Sequence, residues 1–380
     1  MKKVLHIITR ATKSGGAEKN THYTLKALKD DYEVDLMVGG DSESFFTDLD
    51  INKVFKIDSL KRKPSFFNDI KALFVIYRMI KKKEYDLVHT HQSKAGFIGR
   101  LAAFFARTDL IVHTVHGPLF WNEQSFLKFN FYKLLEKISS FYTDWFVSVG
   151  ENLRDYYLKH GIGKKEQYSI IRSGMNLDNF YNARKLKEEE KQNVKKDLGV
   201  PLDKKIVGMV GSLEKRKGFH FAIDVAKKII KENPDTIFLF VGEGNYRKEL
   251  EKKVEKENMS DNIIFTGYRN DIAKVMSVFN AFLFTSIANE GLPQVLVQAC
   301  ILGLPIVSFN VMGSGEMIKE NGFVIEDKDV DKMTEKVSYL LSNLKKAKEL
   351  GRKGRKLVDN QWEIETMQKE VKNLYNKLFN

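Results

Sequence analysis

Short apolar runs of strand length alternate with longer segments of helical period along nearly the whole chain. In the first half the runs fall at 4–8, 33–38, 87–89, 110–115, 145–149 and 168–171. Helix-period segments lie between them, at 17–28, 68–82, 95–106, 126–141 and 152–159. This alternation predicts a parallel sheet wrapped by helices. A charged, non-alternating stretch around 185–196 interrupts it and reads as a connector over 182–204. The alternation then restarts, with runs at 206–210, 236–241, 263–266, 281–284, 306–308 and 323–325. Two doubly wound α/β domains in series are the economical reading, the first over 1–181 and the second over 205–361. Such domains bind ligands at the carboxyl ends of their strands, so a cleft between two facing edges is expected. The tail, 362–380, reads as a last amphipathic helix with Trp362, Met367, Val371, Leu374, Tyr375 and Leu378 near one face.

Composition narrows the class. A chain of 380 residues is long for one core and suits two domains. With 43% hydrophobic and 30% charged residues it has the balance of a soluble globular protein. One cysteine, Cys300, excludes an internal disulfide and fits a reducing compartment. It falls in the apolar part of a predicted helix, which suits a buried, inert thiol. The start, Met-Lys-Lys-Val-Leu-His-Ile-Ile, has the charge of a signal peptide, but its apolar stretch is short, contains His6 and leads to no small-residue cleavage site. No run is long enough to span a bilayer. A cytoplasmic protein, free or peripheral at the inner membrane face, is expected. The net charge of +13 suits anionic partners and divides evenly, about +7 in residues 1–180 and about +6 in the rest. No nucleic-acid recognition motif accompanies it, so nucleic acid is not an expected partner.

The densest chemistry lies at 286–298, Ser-Ile-Ala-Asn-Glu-Gly-Leu-Pro-Gln-Val-Leu-Val-Gln. Glu290, Gly291 and Leu292 occupy a turn between a strand and a helix that starts near Gln294, and Gln298 follows Glu290 by seven residues. Two helical turns of separation would set Gln298 below Glu290, on the face that looks back to the strand ends. The stretch resembles the glutamate, seven residues, glutamate signature of retaining family 4 glycosyltransferases, with glutamine in the second place. That resemblance covers nearly the whole chain. It implies the GT-B fold, two Rossmann-like domains facing an interdomain cleft, with the C-terminal helix packed back on the first domain. It assigns Glu290 to hydroxyls of the donor sugar and position 298 to the nucleotide ribose. An amide can still bond hydroxyls there without a carboxylate's charge.

Other turns fit the same frame. Gly15-Gly16 precedes the first helix, where glycine backbone and a helix start suit an anion, and resembles the family's glycine-rich loop. Gly211-Ser212-Leu213-Glu214-Lys215-Arg216-Lys217-Gly218 follows the second domain's first strand and matches a family segment whose arginine and lysine neutralise the nucleotide diphosphate. Lys217 keeps the lysine, Ser212 stands in the arginine's place, and Arg216 offers a second cation. Gly313-Ser314 opens a further helix, suited to phosphate through amides or to an ordinary loop with Ser314 as cap. Arg269 lies in the segment that lines the base in the family. His89, His91, His113 and His116 cluster within 28 residues. A metal site needs convergent ligands that nothing else here supplies, so no metal is expected. The resemblance uses His116 as the first-domain contact to the transferred sugar.

Between 118 and 142 aromatic residues interleave with Lys128, Lys133 and Lys137. Such a helix suits an anionic membrane surface, or packs on the core with its lysines outside. The expectation is therefore a metal-independent retaining hexosyl- or N-acetylhexosaminyltransferase without a cofactor. It moves a sugar from a nucleotide donor, UDP-linked, to a lipid-linked or polysaccharide-precursor glycan. Two rivals stay open: a binding protein that holds a nucleotide-sugar without turnover, which Ser212 and Gln298 favour, and a nucleotide-sugar epimerase on the same fold.

Overall fold

The structure is a computed structural model that describes residues 1–380 apart from 11–14, 41–45, 47–48, 122–123, 288–289 and 359, and the side chain of Asp327. Ala288 and Asn289, in the middle of the Glu290 stretch, thus lie outside the described residues. The chain forms two compact units, residues 1–175 with 361–380, and residues 176–360.

In chain order the first unit contains β1 (Lys3–Ile8), α1 (Gly16–Leu28), β2 (Glu33–Gly39), β3 (Lys53–Ile57), α2 (Phe66–Lys83), β4 (Leu87–His91), α3 (Ser93–Ala106), β5 (Leu110–Val115), α4 (Phe126–Ser140), β6 (Trp145–Ser148), α5 (Glu151–Lys159) and β7 (Tyr168–Ile170). Among the described residues its strands form one parallel sheet in the order β3-β2-β1-β4-β5-β6-β7. The order reverses between β1 and β4, whose carboxyl ends flank the crevice where such sheets take ligands. β3 was not expected from the sequence. Its Lys-Val-Phe-Lys-Ile runs along an edge and buries only Ile57, so it lacks the apolar signal of the inner strands.

The second unit contains α6 (Asp178–Ala183), α7 (Glu188–Asp197), β8 (Lys205–Val210), α8 (Phe219–Glu232), β9 (Thr236–Val241), α9 (Arg247–Lys256), β10 (Ile263–Gly267), α10 (Ile272–Ser277), β11 (Ala281–Phe284), α11 (Gln294–Leu302), β12 (Ile306–Phe309), α12 (Ser314–Met317), β13 (Gly322–Ile325), α13 (Val330–Ser342) and α14 (Leu344–Val358). Its parallel sheet runs β10-β9-β8-β11-β12-β13, again with the switch beside the first strand. The segment 182–204 is part of this unit rather than a free connector. α6 packs on α10 and α11, and α7 packs on α10. α7 buries none of its residues, so no apolar period betrays it. Its charge order does: three glutamates in the first turn and two lysines in the last suit the helix dipole, and Glu190 accepts the Lys187 amide (2.8 Å).

The final helix, α15 (Ile364–Phe379), belongs to the first unit and packs on α1. Met367, Val371, Leu374 and Tyr375 form its buried stripe, at helical spacing, within the core that also holds Val4, Leu25 and Leu87. Cys300 is buried in α11, and burial pushes its thiol up to about 12, which leaves it unreactive.

Candidate active site

Three strand-end loops of the second unit, after β8, β11 and β12, meet around Glu290. The loop after β8 carries Arg216 and Lys217 and is clipped to the chain leaving β11. The Ile287 amide donates to the Arg216 carbonyl (2.9 Å) and the Thr285 hydroxyl donates to the Gly218 carbonyl (2.9 Å). Gly218 has φ +74° and lies so close that a Cβ would stand 1.8 Å from the Thr285 oxygen, so only glycine fits. This clip fixes the Lys217 ammonium on the Glu290 carboxylate, which also accepts from the Ser286 hydroxyl (3.2 Å). The Arg216 guanidinium lies 3.9 Å from the same oxygen and is held by Glu214 (2.6 Å). Burial alone would raise the Glu214 carboxyl, but the Arg216 bond and charge, Ser212 and Lys217 together hold it below its ordinary value. Ser212 thus serves Glu214 in this arrangement.

The loop after β12 closes the other flank. Gly313 has φ +83°, and a Cβ there would come within 3.0 Å of the Glu290 and Gly291 carbonyls. Ser314 departs from the expectation of a donor contact. Its hydroxyl bonds the Phe309 and Val311 carbonyls (3.1 and 2.7 Å) and its amide bonds Val311 (3.0 Å), so the residue is committed inside its own loop. Gln298 departs from the expected stacking. The helix starts at Gln294, so Glu290 precedes it in a turn, and two turns of one helix do not separate the pair. Gln298 is half-buried in the second turn of α11 and its amide has no partner among the described residues. Gly291 is buried and Leu292 half-buried in the turn itself. Arg269 spans Asp271 with two bonds (2.8 and 2.7 Å), so its guanidinium is already engaged. The sequence reading missed Gly242-Glu243-Gly244 after β9. This loop brackets Gly211 and Leu213, with the Leu213 amide donating to Glu243 (2.9 Å) and the Tyr246 amide to Leu213 (2.9 Å). Its two glycines directly after a strand were the available signal.

In the first unit, Gly15 caps α1 and Gly16 is its first residue. The Glu18 carboxylate curls back so closely that a Cβ on Gly15 would stand 1.9 Å from it, and Arg10 approaches Glu18 at 3.8 Å. Beside this loop, β1, β4 and β5 bring His6, His89, His91 and His116 together. His116 approaches His91 (3.3 Å), which bonds His6 (2.9 Å). Tyr375 of α15 bridges His6 (3.2 Å) and His89 (2.7 Å), and His89 bonds Thr114 (2.7 Å). Burial pushes His6 and His116 down to about 3 and His89 and His91 well below the usual range, so the rings are neutral. His6, His89 and His91 also have ring nitrogens within 4.8 Å of one another. Each of those nitrogens already has a hydrogen-bond partner, so a metal would have to displace bonds to be held there. His113 lies apart from the group and bonds Thr90 (2.9 Å). The register explains the gathering: His6 pairs with His89 across β1 and β4, and His91 sits two residues on, on the same face.

Two family models match, glycosyl transferases group 1 over residues 190–357 and glycosyltransferase family 4 over 14–179. The chain is 31% identical over 287 residues to the UDP-Gal:alpha-D-GlcNAc-diphosphoundecaprenol alpha-1,3-galactosyltransferase of Escherichia coli, covering 73% of this chain and 72% of that one. It is 24% identical to the capsular polysaccharide biosynthesis glycosyltransferase CapM of Staphylococcus aureus, over 86% of this chain and 85% of the other. Among solved structures, Anabaena Alr3699/HepE in complex with UDP superposes with a TM-score of 0.80 at 20% identity, covering 99% of this chain and 100% of that one. WaaG, a glycosyltransferase involved in lipopolysaccharide biosynthesis, does so with 0.74 at 17% identity, over 97% and 99%. These two share the fold, which is GT-B. With both halves matched and an Escherichia coli relative above 30% identity, the chain belongs to the family 4 glycosyltransferases.

Proposed function

We propose that this glycosyltransferase moves a hexosyl or N-acetylhexosaminyl group from a UDP-sugar, with retention of configuration, to a lipid-linked or polysaccharide-precursor glycan. The observation that carries the reading is the Lys217–Glu290 pair, clipped to a glycine-rich strand end with Arg216 beside it. Loss of a nucleotide diphosphate needs positive charge that is already in position. Lys217 and Arg216 supply it when the diphosphate enters. Glu290 then exchanges its lysine contact for hydroxyls of the sugar, and Gln298 takes the ribose. In the first unit, His116 is the residue this reading assigns to a sugar hydroxyl. These cations belong to the chain itself, so the step needs no divalent ion. The donor choice draws on the Escherichia coli relative, whose name includes UDP-Gal and a diphosphoundecaprenol acceptor.

The acceptor reading has its own support in the first unit. α4 is inverted: it buries Glu136 and Ser139, while Phe126, Leu127, Phe131, Leu134, Ile138 and Phe141 are exposed. Glu136 faces inward because buried Arg100 of α3 grips both its oxygens (3.1 and 3.0 Å). Phe66, Phe67, Ile70 and Phe74 of α2 are exposed as well. A cavity of about 870 Å³ opens among these helices, lined by Phe66, Phe97, Leu101, Tyr132, Arg10 and Lys94. An apolar face with lysines around it suits a lipid acceptor and the anionic cytoplasmic surface that carries it. Among the described residues no helix is long and apolar enough to cross a membrane.

Mass spectrometry of products from a panel of nucleotide sugars and lipid-linked acceptors, with and without EDTA, tests the reading. UDP release with a new α-linked sugar on the acceptor, unaffected by EDTA, is expected. UDP binding without turnover on any member would replace the proposal with a binding role. An epimerised donor in the absence of acceptor would replace it with epimerisation. Sedimentation with anionic vesicles checks the surface, with loss of binding expected for Phe126→Ser combined with Phe141→Ser.

A further inference from the structure

The buried ring cluster of the first unit has an order that its neutrality alone does not explain. Starting from Thr114, contacts run Oγ1 to His89 Nε2, His89 Nδ1 to Tyr375 Oη, Tyr375 Oη to His6 Nε2, His6 Nδ1 to His91 Nε2, and His91 Nδ1 to His116 Nε2. Every link joins the Nδ1 side of one ring to the Nε2 side of the next, with the tyrosine hydroxyl as a through-connection. A neutral imidazole has one N–H and one lone pair, so each ring accepts at one end and donates at the other. Three arrangements satisfy all the links, but in one of them Tyr375 Oη accepts from both His89 Nδ1–H and His6 Nε2–H, which leaves the buried tyrosine proton without an acceptor. In the other two, either every histidine carries its proton on Nδ1, or every one carries it on Nε2.

The far end decides between them. Thr114 is buried, and its hydroxyl has no other partner among the described residues. With Nδ1–H throughout, the Thr114 O–H donates to His89 and is satisfied. With Nε2–H throughout, that hydroxyl must accept from His89, and its own proton is left buried without an acceptor. An unsatisfied buried donor costs about 1–3 kcal/mol, enough to select the first arrangement. We propose that Thr114, His89, Tyr375, His6, His91 and His116 form one hydrogen-bonded wire that sets all four imidazoles as Nδ1–H and makes His116 a fixed N–H donor. His116 Nδ1 is the free end, without a partner among the described residues, and His116 is part-exposed. This rests on the reading that His116 meets the transferred sugar. There the donor would point at a sugar oxygen, and a ligand offering a proton instead would have to reverse the whole wire. Tyr375 and Thr114 are positioning residues: they act on the sugar only through His116, and Tyr375 gives the C-terminal helix a part in the site.

The readout is the tautomer itself, from two-bond 1H–15N correlation on the full chain labelled at histidine nitrogens. The expected wild-type spectrum has protonated Nδ1 and bare Nε2 on His6, His89, His91 and His116. Any one of the four as Nε2–H would overturn the wire. Thr114→Val removes the deciding proton without touching His116, because either arrangement then leaves one nitrogen of His89 unpartnered. All four histidines should then show mixed tautomers, His116 five links away included. Tyr375→Phe cuts the wire at its centre and should leave His6, His91 and His116 mixed by the same reasoning. A His116 spectrum unchanged in both variants would overturn the proposal, as would one equivalent of Zn2+ shifting His6, His89 and His91 together. Turnover separates the two readings. If the wire fixes His116 toward the sugar, both variants lower kcat about tenfold and leave UDP affinity unchanged. If His116→Ala leaves turnover at the wild-type level, the sugar assignment of His116 fails, while the tautomer pattern still judges the wire.

Discussion

The two units wind their sheets the same way and finish their strand ends in opposite electrostatic styles. At the carboxyl ends of β8 and β11 the second unit gathers ionised groups, with Lys217 and Arg216 against Glu290 and Glu214. At the corresponding ends of β1, β4 and β5 the first unit gathers neutral rings, linked through Tyr375. Seven of the eight histidines belong to the first unit, and His220 alone to the second. The difference follows from solvent. Lys217 and Glu290 keep about a sixth of their side-chain surface exposed, so charge survives there. His6 and His91 are wholly buried, where charge is expelled and a ring keeps only its hydrogen-bonding polarity. Under the proposed function, the charged strand ends suit a diphosphate and the neutral rings suit hydroxyls.

The largest expected effect tests the neutral side of that contrast. A histidine whose pKa falls from 6.5 to about 3 on folding stabilises the fold fully above pH 6.5 and loses that contribution as pH falls toward 3. Each such group costs about 1.4 kcal/mol per pH unit in that window, because only the unfolded chain takes up the proton. His6 and His116 have that depression, and burial drives His89, His91 and His113 in the same direction. The first unit should therefore lose several kcal/mol between pH 6.5 and 5. All three tryptophans, Trp121, Trp145 and Trp362, lie in this unit, so their fluorescence reports its unfolding selectively. A tryptophan midpoint that does not move across this pH range would mean that the rings charge inside the fold.

On the charged side, Glu290→Ala should lower turnover about 100-fold or more while UDP binds as tightly as before, or several-fold tighter. The possible gain follows from the ion pair: without Glu290, Lys217 no longer gives up a partner when the diphosphate arrives. Isothermal titration with UDP beside a steady-state assay reads both quantities. Turnover at the wild-type level would remove Glu290 from the sugar. Lys217→Ala comes next, with about 10- to 100-fold losses in UDP affinity and turnover together, since a phosphate contact serves ground and transition states alike. Arg216→Ala should cost only several-fold. Its side chain is half exposed and already bound to Glu214, whereas Lys217 is mostly enclosed. The reverse ranking would make Arg216 the main clamp.

Most of the fold was legible because buried parallel strands and amphipathic helices write their periods directly into the chain. What escaped was structure that buries little. β3 lies on an edge, and α7 shows its helix through charge order alone. In the site, the Glu290 turn and the Lys217 loop were legible from glycine, proline and charge at strand ends. Their direct contact was not, because it depends on two loops separated by 73 positions meeting through backbone clips. Four histidines close in sequence drew notice, but His6 and Tyr375 join them only through sheet register and the return of the last helix. The inversion of α4 was likewise hidden, since an apolar face reads the same whether it meets a core or faces outward until Arg100 is seen holding Glu136 inside.

The smallest effect concerns Gln298, which stands where the signature that the sequence resembles has a glutamate and where the charged style of the second unit gives way to a neutral amide. Its position in the second turn of α11, half-buried and without a partner among the described residues, would leave the amide available for ribose hydroxyls under the proposed function. Gln298→Leu removes both polar atoms and should weaken UDP by about tenfold. Gln298→Glu restores the carboxylate of the family signature. A carboxylate takes hydroxyl hydrogen bonds about 1 kcal/mol more strongly than an amide, but the nearby diphosphate repels it, so a several-fold change in either direction is the limit. The control is 2′,3′-dideoxy-UDP, which lacks the hydroxyls and should bind wild type and the leucine variant alike. If Gln298→Leu holds UDP as well as wild type, the glutamine is a helix residue beside the site and not part of it. Nucleotide recognition in the second unit would then rest on Lys217, Arg216 and the glycine loops.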